Sequence, residues 1–408
     1  MAKTFDPAGF RARVGPVPFL AVATLSQTGM SFVQQGIVVM GVFFASAFHL
    51  SLAQMGLVTT ALSLGVMTSM VVMGAAADRI GPRRLLFFGS LAMSVLALGL
   101  LVISGFYALL VLLFFLGIAL AIAPASGTKA VFTAFHDRPR GMVMGIRQTG
   151  VPLGALLAAS LLPRLIAHGG FPEVFWLFGV ELIVMGWAFS GVMMSWPKPA
   201  ARRGQVRLDR RVLSQVWRPG LVAILLVSGQ YLLLGFTLDD LHRVHHLNLT
   251  TAGLVLAVSQ FGGGLGRVVT GIVSDRLGGR RTPVIIACGV VGALMAWAVA
   301  MMPAGAPLAL LVPVWFVFGM GAVGWNALTM TWAGESVPPE HSGFAMSSVG
   351  TAAFLGSAIF PPLFGALVDA THHYSVGWAL LGFVLMGAAI LTRIFAQQLR
   401  RHEAPAAS

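Results

Sequence analysis

The chain has 408 residues, 57% hydrophobic and 10% charged, and its mean hydropathy is +0.87. Soluble domains are about 45–50% apolar and about 25% charged, so one or two water-soluble domains are excluded. The single Cys, Cys288, excludes an intramolecular disulfide and a cysteine-based metal centre, and the net charge of +13 has to be explained by where the charges sit.

About 20 mostly apolar residues are needed to cross a bilayer. In chain order, twelve such runs are predicted: 17–45, 52–77, 84–104, 106–130, 141–165, 172–195, 219–241, 251–274, 283–302, 306–332, 343–369 and 376–398. The first follows Lys3, Arg11 and Arg13 but is too long for a signal-peptide core, so it is read as a retained helix. The longest polar interruption, Trp196 to Arg218, carries Lys198, Arg202, Arg203, Arg207, Arg210, Arg211 and Arg218. It divides the chain into a half at 1–195, a basic linker at 196–218 and a half at 219–408.

Of the 26 Lys and Arg, Arg164 and Arg243 fall in loops on one side and Arg147 and Arg267 fall inside runs. The other 22 lie in the tails, in alternate loops or at adjoining helix ends, with Lys129 at the border. The positive-inside rule makes that side cytoplasmic, with both termini there and the chain in a plasma (inner) membrane. The basic run is then an orientation signal facing anionic lipid, and no nucleic-acid partner is expected.

The sequence repeats itself. Gly74-Ala-Ala-Ala-Asp78-Arg79-Ile-Gly81-Pro-Arg83-Arg84 matches Gly271-Ile-Val-Ser-Asp275-Arg276-Leu-Gly278-Gly-Arg280-Arg281 at an offset of 197, and Gly141-Met-Val-Met144 matches Gly343-Phe-Ala-Met346 at 202. Parallel repeats of this kind occur in transporters, with the substrate site between the halves.

The twice-repeated G-x-x-x-D-R-x-G-x-R-R motif, set between corresponding runs of the two halves, resembles the major facilitator superfamily. The resemblance implies an all-α membrane protein with twelve transmembrane helices in two six-helix pseudo-repeats. It also implies that the cluster Asp78, Arg79, Arg83, Asp275 and Arg276 latches the cytoplasmic gate in an outward-facing state. The physical basis is an Asp at a helix end that pairs with Arg or accepts from a neighbouring helix N-terminus. For the arginines, setting topology alone is an equal reading.

Charges at membrane depth are rare and usually functional. Arg147 lies seven residues after Arg140, and Arg267 eight before Asp275, so both sit at nearly the same depth. Their repeat positions are Val349 and Met70, so the shared fold does not require them. In the resembled family the fifth and eighth helices face each other, and two cations meeting there would suit an anion, a carboxylate above all. The alternative is that backbone carbonyls, or Glu181 or Asp240, hold them as packing charges. The stretch Gly266-Arg267-Val-Val-Thr-Gly271 also resembles the eighth helix of the monocarboxylate and oxalate carriers, where such an Arg binds the substrate carboxylate.

Further polar residues complete the candidate site. Gln27, Ser31 and Gln34 or Gln35 share a stripe of the first run. The seventh run offers Gln230 and Tyr231, and the tenth Trp325, Asn326 and Thr329. Each serves equally as interhelical glue. Asp239 and Asp240, before His242, His245 and His246, are read as proton-coupling carboxylates at the mouth, with Glu181 as the alternative carrier; no metal is expected there.

There is no phosphate loop, nucleophile elbow or His-Glu-x-x-His, so no enzyme and no cofactor is expected. The expected activity is secondary transport of a small organic anion by proton symport or exchange with a counter-anion, by a monomer. The alternative is a proton-coupled exporter of amphipathic drugs or metabolites, and a third reading is a sensor on a transporter scaffold. Against export, the fourth run, at Phe114-Phe115-Leu116-Gly117-Ile118-Ala119, lacks the Arg that many proton-coupled drug exporters carry before this Gly, and Gly150-Val-Pro152-Leu-Gly154 lacks the adjacent Gly-Pro of antiporter-type exporters. The Asn-bearing glycine signature of nitrate carriers is also missing.

Overall fold

A computed structural model of the chain describes residues 15–135, 140–193, 210–338 and 341–403. All the elements among the described residues are helical. One half contains α1 (Pro16–Val39), α2 (Gly41–Phe48), α3 (Leu52–Ile80), α4 (Pro82–Gly99), α5 (Phe106–Leu120), α6 (Ile122–Ala134), α7 (Arg140–Gln148) and α8 (Gly150–Val192). The other contains α9 (Arg210–Arg243), α10 (Leu249–Arg276), α11 (Arg281–Ala300), α12 (Leu308–Gly324), α13 (Asn326–Glu335), α14 (Ser342–Thr371) and α15 (Tyr374–Glu403). Residues 196–209 of the expected linker lie outside the described residues, and 210–218 form the first turns of α9.

Among the described residues ten helices are long and apolar enough to cross a membrane, or eleven when α1 and α2, bent by 42°, are taken as one span. One of the ten, Gly145–Val192, is 48 residues long. Unbroken, it would be about 70 Å long, more than twice the bilayer core. It is interrupted at Gly170, whose φ of 73° and ψ of −165° suit glycine alone. The sequence places two runs there, 141–165 and 172–195, so ten or eleven spans by length and composition stand beside the twelve expected.

The repeat extends to helix interruptions. α5 gives way to α6 at Ala121, and α12 to α13 at Trp325, close to half a chain apart. Helix starts are built from local sequence. Ser51 and Gln54 form a capping box at α3, and Asn248 accepts from the Thr251 amide at α10. At the opposite ends, His49 and His372 close α2 and α14 in the left-handed conformation.

Within the halves, α1 packs on α8, α10 on α12, and α11 on α15. Between the halves, α3 packs on α14 and α8 on α10. Large apolar side chains such as Phe88, Val95, Trp176 and Phe383 remain exposed. Together with the apolar spans, they make a surface suited to lipid rather than water. The arginine-rich end of the bundle carries Asp78 and Asp275; the far end carries the loops around His49, His246 and His372.

Candidate functional site

Arg267 owes its position to the glycines that precede it. A Cβ on Gly266 would fall 2.8 Å from the Met320 carbonyl oxygen, so the backbones of α10 and α12 touch there. Close contact brings Arg267 Nε to the Val323 carbonyl at 3.3 Å, while the Thr270 hydroxyl donates to the Gly324 carbonyl at 3.0 Å. Both acceptors lie in the last turn of α12, where helical carbonyls lack partners of their own. Arg267 Nη1 donates across the halves to the carbonyl of Gln148 at 3.1 Å.

Arg147 is 2% exposed. Its Nη1 meets Thr128 Oγ1 at 3.4 Å and its Nη2 the Ala123 carbonyl at 3.5 Å, both on its own side of the bundle, and its Nε has no partner. The two arginines do share a level, since Arg267 bonds the residue next to Arg147. Their guanidinium groups are held by different walls, α6 for Arg147 and α12 for Arg267. Neither makes an ion pair among the described residues. A buried guanidinium held only by weak neutral acceptors retains capacity for an anion.

A polar seam runs beside them. Tyr231 on α9 lies beside Gln35 on α1, Ser357 on α14 and Arg267 on α10. Ser357 Oγ donates to Ser63 Oγ on α3 at 2.9 Å. Gln35 Oε1, Gln230 Oε1 and Gln260 Nε2 are buried without partners. Gln27 is less open to a ligand, because its Nε2 donates to Ser31 Oγ at 3.0 Å. The Trp325 indole N–H is likewise taken by the Ala322 carbonyl at 2.8 Å. Gln34 and Asn326 are half-buried. Ser63, Ser357 and Gln260 were not expected from sequence. Isolated serines and a glutamine in apolar runs carry no spacing signal, and only the meeting of helices from two halves reveals them.

The acids expected at an open mouth are buried instead. Asp239 and Asp240 are 1% and 2% exposed. Asp239 accepts from Arg243 Nε at 2.9 Å and from the Tyr374 hydroxyl. Among the described residues Asp240 Oδ2 has no hydrogen-bond partner; its neighbour is the Trp378 indole, which stacks edge-on with Trp315 and Phe364. The sequence treats the two acids alike, and the structure separates a paired one from a free one. Glu181 lies elsewhere, packed on Gly29 of α1 with both carboxyl oxygens unpartnered. Beyond the spans, His245 Nδ1 accepts from the Ala306 amide at 3.3 Å. Burial lowers the pKa of this imidazole, and the neighbouring His246 lowers it further.

At the arginine-rich end each motif acid pairs within its own half. Asp78 bonds Lys129 of α6 at 2.5 Å, and Asp275 bonds Arg281 at 2.7 Å, with Arg281 reaching Glu335 at 3.1 Å. Arg79, Arg83 and Arg276 are exposed.

Comparison with known proteins agrees with this architecture. The profile of the Major Facilitator Superfamily matches residues 20–361 and again 221–407. An uncharacterized MFS-type transporter of Mycobacterium tuberculosis is 28% identical over 97% of this chain and 91% of its own. A protein named "Probable sulfoacetate transporter SauU" from Cupriavidus necator is 24% identical over 87% and 88%. A gallate transporter of Pseudomonas putida is 25% identical over 83% and 81%. A crystal structure of a mutant peptide transporter superposes with a TM-score of 0.79 at 13% identity, covering 98% of this chain and 99% of that one, a likeness of fold alone. With a family match over most of the chain and an all-helical bundle among the described residues, the chain belongs to the Major Facilitator Superfamily of secondary transporters.

Proposed function

We propose that this transporter moves a small organic anion, a carboxylate, by alternating access, with proton symport or exchange for a second anion. The observation that carries the reading is the pair of buried arginines. Arg147 and Arg267 sit at one level, Arg267 bonding across to Gln148 beside Arg147, and neither has an acidic partner among the described residues. A carboxylate between them would supply the missing negative charge with the planar geometry a guanidinium favours. The names of the sulfoacetate and gallate relatives support the same substrate class. Tyr231, Gln27, Ser31, Gln34, Trp325 and Asn326 complete the lining of the site. Asp240 carries the coupling proton, since an unpaired carboxyl exchanges a proton without first breaking an ion pair. Residues 1–195 and 219–408 rock as two bodies joined by the basic segment, in a plasma membrane with the arginine-rich end in the cytoplasm.

The test is thermal stabilisation of the purified protein across a panel of mono- and dicarboxylates, sulfonates, nitrate, sugars and cationic drugs, followed by uptake into proteoliposomes. Carboxylates are expected to raise the melting temperature in proportion to ln(1 + [L]/Kd) and to be accumulated. Stabilisation by amphipathic cations alone would overturn the reading in favour of drug export.

A further inference from the structure

The helix pair α3 and α14 crosses between the halves, and its far end is closed by an unusual contact. Asp369, in the last turns of α14, accepts from the Leu52 amide at 3.0 Å through Oδ1 and from the Ala53 amide at 2.8 Å through Oδ2. These amides open α3, and the first donors of a helix have no partner within it. The local capping box supplies Ser51 Oγ to the Gln54 amide and Gln54 Oε1 to the Ser51 amide, and neither reaches Leu52 or Ala53. The carboxylate that satisfies the other two therefore comes from the opposite half of the chain. An acid in the last turn of its own helix is placed against the helix dipole. Asp369 gains a favourable field only while α3 is docked.

A second, independent feature strengthens this seam. Pro362 has no N–H, which leaves the carbonyl of Ala358 without its helical donor. Thr60 of α3 fills the place, donating to that carbonyl at 2.6 Å. Ser63 and Ser357 form the next rung at 2.9 Å, and the rung after that is only a contact of Thr351 Oγ1 with Met70 Sδ at 3.6 Å. Polar contacts thus weaken from the far end toward the arginine-rich end.

Because the helices are antiparallel, the opposite end has the mirrored arrangement. Asp78 lies in the last turn of α3, at the end where α14 begins at Ser342. Here Asp78 is 60% exposed and bonded to Lys129 of its own half. Asp369 is not a repeat copy of Asp78: that partner is Asp275, and the positions 197 and 202 residues before Asp369 are Pro172 and Ala167.

We propose that Asp369 is a far-end latch that opposes Asp78 across a single helix pair. With Asp369 docked on the α3 N-terminus the far end is shut. When the halves rock, Asp369 loses both amides and Asp78 comes within reach of the α14 N-terminus. One antiparallel pair then carries both terminal latches, and the difference between them sets the resting balance of states.

The balance is readable without a substrate, so the test does not depend on the anion reading. Val38 on α1 is 1% exposed and faces Gly235 of α9 across the halves. A Val38→Cys variant reacts with a water-soluble maleimide only when the far end opens, at a rate set by the open fraction. The buried Cys288 reports general loosening. In this background Asp369→Asn should raise the Val38→Cys rate about tenfold, equivalent to about 1.4 kcal/mol, and leave Cys288 unchanged. Asp78→Asn should lower the rate, and the double variant should return toward the parent. An unchanged rate in folded Asp369→Asn, acceleration at both cysteines, or acceleration by both single variants would overturn the latch. Should Asp369→Asn not fold, Thr60→Val removes the next rung; it should accelerate the same cysteine by a smaller factor, and no acceleration there overturns the proposal equally.

Discussion

Arg147 and Arg267 are both buried arginines at one level of the bundle, yet their surroundings differ in kind. Arg267 touches both halves, through Val323 on its own side and Gln148 on the other. Among the described residues Arg147 hydrogen-bonds only to α6 of its own half. A group anchored within one rocking body keeps its contacts as the bodies move, whereas a group that bridges two must exchange them. In the proposed cycle Arg147 would supply a constant positive charge, and Arg267 would exchange its contacts as the state changes. The contrast arises from local sequence: α12 ends beside Arg267 and α7 ends at Gln148, so two helix ends offer carbonyls to one side chain.

The largest expected effect tests the bridging arginine. Arg267→Gln should weaken binding of a carboxylate substrate by about tenfold to a hundredfold, since a charge-assisted hydrogen bond contributes about 1.5–3 kcal/mol. Arg267→Lys should already lose much of this, because an ammonium cannot present two parallel N–H groups. Titration calorimetry on purified protein checks both. Equal affinity in all three proteins would make Arg267 a packing charge and erase the contrast with Arg147.

The sequence shows why such a test is available, and where reading it stops. The two halves, the motif copies and the depth of both arginines follow from apolar run length and from a repeat that lacks arginine at Val349 and Met70. Those are one-dimensional patterns. The direction in which Arg147 points is not, because it depends on how α6 crosses α7. The separation of Asp239 from Asp240 is equally hidden. Adjacent residues on a helix point about 100° apart, so one finds Tyr374 and Arg243 while the other finds Trp378. Asp369 was missed because an acid near a helix end reads as a solvated terminus, and its acceptor role exists only through a helix more than 300 residues away.

A comparable effect on coupling, not on affinity, is expected at the acid pair. Asp240→Asn should reduce uphill accumulation in proteoliposomes to simple equilibration while sparing substrate exchange. Asp239→Asn should instead weaken folding, because the Arg243 guanidinium loses its counter-charge and a single amide oxygen cannot accept from both Arg243 and the Tyr374 hydroxyl. Retained proton-driven accumulation in Asp240→Asn would move the proton to Glu181, whose buried carboxyl oxygens also have no partner among the described residues.

A smaller effect sharpens the arginine contrast from the other side. If Arg147 supplies charge without bridging the halves, Arg147→Gln should reduce affinity several-fold, less than Arg267→Gln does. It should weaken dicarboxylates more than monocarboxylates, because only a second negative group gains fully from the second cation. Competition of a monocarboxylate and a dicarboxylate for binding to the variant measures the ratio. An unchanged ratio would place Arg147 outside the site.

The smallest effect concerns a third buried nitrogen base, and the one whose charge changes in the physiological range. His245 is 5% exposed, and its Nδ1 accepts from Ala306 only while that nitrogen is unprotonated. Burial and the neighbouring His246 place its pKa below the ordinary 6.5 in the folded protein. The unfolded chain therefore binds this proton more readily, and stability rises with pH through the interval between the two values. The contribution is fully present above about 6.5 and is lost as the pH falls through that value toward the folded one. The bond itself is a net hydrogen bond of about 0.5–1.5 kcal/mol. Melting curves of wild type should thus decline more steeply below about pH 6.5 than those of His245→Gln, whose amide oxygen accepts at every pH. The arginines, charged throughout, add no slope in this range. Parallel pH profiles for the two proteins would show that the contact between His245 and Ala306 does not hold the far-end loop.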